Sequence, residues 1–205
     1  METKKIEFDG STGEKLSAKI DLPKSETKAY ALFAHCFTCS KDLKAVGNIT
    51  KALADIGIAT FRFDFTGLGQ SEGDFADTNF SSNVDDLVKA YEYMDKEFSA
   101  PAILIGHSLG GAAVLQASHK MESVKAVATI AAPAEPAHVK ENFEMSLDEI
   151  NEKGEAKVSL AGRPFTIKKQ FIDDLEEARM KKFIHNLGKA LIVFHSPIDN
   201  RSEER

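Results

Sequence analysis

The 205-residue sequence has only two cysteines, Cys36 and Cys39, both early and close together, so it carries no disulfide framework of the kind that staples small secreted domains. No apolar run approaches the roughly 20 residues that a membrane span requires. Met1 to Gly10 alternate charged and apolar side chains and lack the apolar centre of a signal peptide. Positive charge is not in excess. The 26 Lys and Arg against 32 Asp and Glu leave a net charge of −6, which argues against nucleic acid or an anionic membrane as the main partner. Internal repeats and low-complexity segments are also missing. What is there is 42% apolar and 28% charged, the balance of an ordinary globular protein. A chain of this length buries roughly 70% of its unfolded surface and needs neither disulfide nor metal to hold a core. The expectation is one cytoplasmic α/β domain.

Short apolar runs alternate with amphipathic stretches. Lys5 to Phe8 and Leu16 to Leu22 alternate in and out around Asp9-Gly10-Ser11-Thr12-Gly13, which predicts an antiparallel hairpin. Ala29 to His35, Ile58 to Phe65, Ala102 to Ile105, Val124 to Ala132 and Ala190 to His195 read as strands buried on both faces. Between them, Leu43, Val46, Ile49, Leu53 and Ile56 repeat at helical spacing, with Ser40 as expected N-cap and Gly57 as stop. Ser82 to Phe98 reads as a second helix with Ser82 and Asp85 spaced as a capping box. A third helix runs from about Ser108 to Lys120. Such alternation builds a mostly parallel, doubly covered sheet. From 134 to 188 the rhythm breaks into polar sequence, with helical patterns at Leu147–Ile150 and Phe171–Phe183, and that length predicts an inserted helical cap.

Chemistry concentrates at Ile103-Leu104-Ile105-Gly106-His107-Ser108-Leu109-Gly110-Gly111, a Gly-x-Ser-x-Gly pattern between a predicted strand and a predicted helix. A serine on a sharp strand-to-helix turn projects toward a base, and the turn is tolerable only if the flanking residues are small, as Gly106 and Gly110 are. The helix that starts there aims its free amides and positive dipole end at the serine. Leu109 supplies one oxyanion amide by this logic. Phe37, just past the Ala29–His35 strand, supplies the second. His107 reads as filler, because neighbouring side chains on such a turn diverge.

The chain resembles the α/β-hydrolase superfamily, and within it the hydrolase half of bifunctional α/β-hydrolase/OsmC-type fusion proteins. The resemblance runs from about Met1 to Asn200. It rests on His35-Cys36-Phe37-Thr38-Cys39-Ser40, Asp64-Phe65-Thr66-Gly67-Leu68-Gly69-Gln70-Ser71, the Gly106–Gly110 turn and His195-Ser196-Pro197-Ile198-Asp199. It implies a serine hydrolase acting on carboxylic esters or similar small acyl substrates through an acyl-enzyme, with Ser108 as nucleophile and Asp199 as triad acid. It implies no metal and no organic cofactor. The resemblance also calls for a last strand and helix with the catalytic histidine between them. Past Asp199 the sequence is the polar tail 201–205, and no histidine follows. The expectation is thus a truncated domain lacking that strand, helix and histidine, impaired in catalysis and able to associate with a second copy through the exposed sheet edge. Of the other histidines, only His138 and His185, in the expected cap, have the freedom to reach the site.

Two readings from other classes stay open. Cys36-x-x-Cys39 lies between a strand and a helix start, where a thiol pKa falls, so the pair suits a redox centre or a metal site completed by His35. Alternatively the two thiols only shape a loop. A hydrolase fold without its base can also serve as a non-catalytic interaction module. Gly67-Leu68-Gly69-Gln70-Ser71-Glu72-Gly73 fails the dinucleotide fingerprint, since its third glycine is displaced and no helix follows at once.

Overall fold

A computed structural model describes residues 1–160 and 162–196. Its strands are β1 (Glu2–Asp9), β2 (Lys15–Leu22), β3 (Ala29–Ala34), β4 (Ile58–Phe63), β5 (Ile103–His107), β6 (Ala126–Ile130), β7 (Glu155–Leu160), β8 (Arg163–Lys168) and β9 (Ala190–Phe194). The helices are α1 (Lys44–Asp55), α2 (Phe80–Glu97), α3 (Leu109–Ala117), α4 (Leu147–Lys153), α5 (Lys169–Glu177) and α6 (Met180–His185). Among the described residues, seven strands form one sheet in the order β1-β2-β4-β3-β5-β6-β9. The β1–β2 hairpin is antiparallel and joins β4 antiparallel, while β4, β3, β5, β6 and β9 run parallel. This is the α/β architecture the alternation predicts.

The two faces of the sheet are covered unequally. On one, α2 and α3 bury Phe61, Phe63, Leu104, Val127 and Leu87 in the main core. On the other, α1 covers a small cluster of Ala31, Phe33, Val46 and Ile105. That coverage fades toward β9. The last strand was expected to be buried, yet Leu191, Ile192, Val193 and Phe194 are 41%, 52%, 55% and 53% exposed, because among the described residues no helix covers them.

Helix starts differ from the sequence expectation in instructive ways. Leu43, not Ser40, precedes α1, and no side chain caps it. For α2 the capping box is real but shifted: Asn79 accepts from the Ser82 amide at 2.7 Å, and the Ser82 hydroxyl accepts from the Asn79 amide at 2.9 Å. The amide side chain of Asn79 reaches the N3 amide as readily as a hydroxyl does, which a Ser-centred reading overlooks.

The stretch between β6 and β9 is mixed, not helical. A 3-10 segment from Pro136 to Ser146 and α4 lead into a β7–β8 hairpin, which forms its own two-stranded sheet before α5 and α6. In Glu155–Leu160 the residues Ala156, Val158 and Leu160 are buried and their neighbours exposed. Its period of two is a strand signal that the surrounding polar composition hides.

Candidate active site

β5 and α3 meet at Ser108, whose φ of 54° and ψ of −128° lie where a non-glycine residue is strained by about 1–3 kcal/mol. Two backbone bonds hold it there. The Ser108 amide donates to the Ile130 carbonyl at 2.8 Å, and the Gly111 amide donates to the Ser108 carbonyl at 2.7 Å. The turn is so tight that a Cβ on Gly106 would lie 2.3 Å from the Gly110 carbonyl oxygen, and one on Gly110 would lie 2.3 Å from that of His35. Both glycines are therefore steric requirements. Ser108 itself stays half-buried. Leu109 opens α3, so its amide belongs to the first turn, whose N–H groups have no partner within the helix.

The parallel register pairs Ala34 with Gly106, so the chain leaving β3 and the chain leaving β5 turn side by side. Phe37 lies three residues beyond Ala34, and Leu109 three beyond Gly106. The structure thus brings the two sequence-predicted oxyanion residues to adjacent turns at the C-terminal ends of two central strands. Acyl transfer needs that arrangement: two amides near the serine, aimed where an oxyanion develops.

The loop carrying Phe37 is held by interactions that no local pattern reveals. Its ring stacks on Phe171 of α5, with centroids 5.2 Å apart, and meets Phe75 edge-on at 5.3 Å. Arg163 of β8 donates to the Thr38 carbonyl. Beneath the loop Lys41 is fully buried, and its ammonium donates to Asp64 at 2.6 Å and to Gln70 at 2.9 Å. The Asp64 carboxylate also accepts from the amides of Lys41 at 2.6 Å and Gln70 at 2.9 Å. Gly69 makes room for that carboxylate, since a Cβ there would sit 2.2 Å from it. Arg62 continues the chain, donating to the Lys41 carbonyl at 2.5 Å and to Asp21 at 2.7 Å. Burial acts to raise the Asp21 carboxyl, but the bonds from Arg62 and Thr3 outweigh it and hold the pKa below its usual value.

The cysteines lie between β3 and α1, as expected, but His35 is not their partner. Cys36 and Cys39 are joined by a disulfide across Cα atoms 5.2 Å apart. The His35 Nδ1 donates to the Cys36 carbonyl at 2.8 Å, which leaves Nε2 as the acceptor for the Phe65 amide at 3.4 Å. Burial, the leading cause, pushes its pKa down, so the nearby Asp64 faces a neutral ring and not an imidazolium. His107 is the histidine beside the pair. Its burial likewise lowers its pKa.

Comparison with known proteins decides the family. Residues 25–159 match the family described as serine aminopeptidase, S33. The esterase domain of a Rhodothermus marinus protein is 46% identical, with 96% of this chain and 77% of that one covered and a TM-score of 0.73. The chain is an α/β hydrolase. Est1E from Butyrivibrio proteoclasticus, solved with ferulic acid, shares the fold at 23% identity, with 93% of this hydrolase and 78% of that chain covered and a TM-score of 0.74. A serine hydrolase without lid from Xanthomonas campestris is 28% identical over 65% of this chain and 63% of its own, with a TM-score of 0.58. No match is found among curated proteins.

In this hydrolase the expected acid, Asp199, and the tail 201–205 lie outside the described residues. Among the described residues no hydrogen bond reaches the Ser108 hydroxyl. His119, at the far end of α3, is occupied by the Phe183 carbonyl at 2.8 Å. Nor does any hydrogen bond among those residues link His138 or His185 to the serine. Among the described residues no helix is long and apolar enough to cross a membrane. The sequence reading missed Lys41 and Arg62 as anchors of the loop that carries Phe37. A buried lysine has no local signature, and its partner Asp64 is 23 residues away.

Proposed function

We propose that this hydrolase cleaves carboxylic esters of small molecules through an acyl-enzyme on Ser108. The strained turn of Ser108 beside the Phe37 loop is the observation that carries this reading. The 46% identity to a protein described as an esterase domain supports ester rather than peptide chemistry. The Ser108 oxygen attacks the acyl carbon, and the carbonyl oxygen takes up negative charge between the Phe37 and Leu109 amides. Collapse expels the alcohol, which leaves with the proton that the Ser108 hydroxyl gave up, and a water then adds its oxygen to the acyl carbon, returning a proton to the serine and releasing the acid. Asp199 is the proposed partner that orients a histidine. The segment between β6 and β9 is the proposed cap that shapes the acyl pocket, since it already packs on the Phe37 ring.

Impaired turnover is part of the same proposal, and comparing the rate of wild type with that of Ser108→Ala measures it. A site so impaired keeps the roughly 10³–10⁴-fold advantage over water that an oxyanion hole and binding provide. A cytoplasmic location and association with a second copy along β9 belong to the same proposal. The exposed Leu191–Phe194 support the association, and a clean monomer on gel filtration at micromolar concentration would remove it.

Labelling with a fluorophosphonate tests the nucleophile. The expected result is a label on the wild type that Ser108→Ala loses. Equal labelling of both proteins overturns Ser108 as nucleophile. No label on either overturns the enzymatic reading in favour of an interaction module.

A further inference from the structure

Three side chains that the acyl chemistry does not use converge beside it. Cys36 and Cys39 flank Phe37, and His107 immediately precedes Ser108. Their Sγ atoms and an imidazole nitrogen all lie within 4.8 Å of one another, and all three residues are half-buried. The β3–β5 pairing is the cause, because it lays the two post-strand turns against each other.

We propose that, when the cysteine pair is reduced, Cys36, Cys39 and His107 form a site for a thiophilic divalent cation of the zinc class. In a tetrahedral zinc site, bonds of about 2.3 Å to sulfur and about 2.1 Å to nitrogen place two sulfurs about 3.8 Å apart and sulfur about 3.6 Å from nitrogen. In the oxidised protein the ligand atoms already lie within 4.8 Å of one another, so once the disulfide opens the two sulfurs need only part from each other to reach those spacings. The Cys-x-x-Cys spacing is one that zinc sites use. Thiolate and imidazole together select such an ion over magnesium or calcium, which prefer oxygen. Among the described residues no carboxylate joins the group, and Asp64 is committed to Lys41, so the donor set is these three residues, with a fourth position open to water.

Disulfide and ion exclude each other. A dithiol reductant attacks one sulfur of the Cys36–Cys39 bond to give a mixed disulfide, and its second thiol resolves that link. The reductant leaves as its own cyclic disulfide, and its two electrons and two protons stay on the cysteines. The cation then takes both thiolates and releases two protons, with the neutral imidazole as third ligand. Bound there, it bridges the loop that carries the Phe37 amide to the residue before Ser108, so loop position becomes dependent on redox state and metal.

Cobalt(II) is the probe that tests this without reference to ester hydrolysis. The 205-residue protein is reduced with a dithiol, desalted without oxygen and titrated with the metal. One equivalent should bind with a thiolate-to-cobalt charge-transfer band that zinc displaces. The oxidised protein and Cys39→Ser should lack the band. His107→Asn should keep a thiolate band but bind more weakly, by at least the roughly 10–100-fold that loss of a supporting group costs a metal site. No band in the reduced wild type overturns the site, as does an equal band in the oxidised protein or in Cys39→Ser. Unchanged affinity in a folded His107→Asn removes the imidazole and overturns the three-ligand assignment.

Discussion

The two turns that meet at the head of the sheet are built by opposite means. The Ser108 turn is mainly local: a strained backbone, two glycines and the Gly111–Ser108 main-chain hydrogen bond define it within a few residues, and one more bond ties the Ser108 amide to Ile130 of β6. The Phe37 loop is non-local. It rests on a buried Lys41–Asp64 pair, an Arg62–Asp21 pair and aromatic contacts from α5, none of them adjacent in sequence. A site that needs two amides in register therefore has one fixed by covalent geometry and one fixed by electrostatics and packing. The second half is the one that pH, redox state and mutation can move.

The largest expected effect breaks the electrostatic half. Asp64→Asn leaves the Lys41 ammonium buried without its counter-charge, and breaking such a pair costs about 3–5 kcal/mol. Urea unfolding should show that loss, and the folded fraction should label slowly at Ser108, since Lys41 anchors the loop. Gly110→Ala strikes both halves at once, because its methyl group would meet the backbone oxygens of His35 at 2.3 Å and Ala34 at 2.8 Å. Overpacking against a backbone that cannot yield should cost about 3 kcal/mol in the same assay.

A smaller effect separates the halves by pH. Burial holds His35 neutral in the folded protein, whereas the unfolded chain takes up its proton near the ordinary 6.5. Below that pH the unfolded state binds more protons, so stability is full above about pH 6.5 and falls as the pH drops through this range. Asp21, whose pKa is lowered, adds a further loss only below its ordinary 3.8. The melting temperature should fall from pH 7.5 to pH 5.5, and His35→Gln should flatten part of that slope, with His107 responsible for the rest. The smallest effect lies outside both halves. Asn79→Ala removes the α2 cap, should cost about 1 kcal/mol, and should leave Ser108 labelling of the folded protein unchanged.

The same contrast explains what could be read from the sequence. The order of strands and helices and the Ser108 turn were legible because hydrophobic runs and Gly-x-Ser-x-Gly are short-range signals. The β7–β8 hairpin was hidden by polar neighbours, although Ala156, Val158 and Leu160 carry its alternation. The anchoring of Phe37 was not legible, since Lys41 looks like any surface lysine until the fold brings it onto Asp64. His107 was read as filler. Its neighbours across the site, Cys36 and Cys39, meet it only through the β3–β5 register.

The central claim is that these two differently built turns serve one oxyanion. A crystal structure of the phosphonylated protein tests it directly. The account predicts phosphorus bonded to the Ser108 oxygen, with the phosphoryl oxygen about 2.7–3.1 Å from both the Phe37 and Leu109 amides. A phosphoryl oxygen bound by Leu109 but turned away from Phe37, or phosphorus on any other residue, would contradict it.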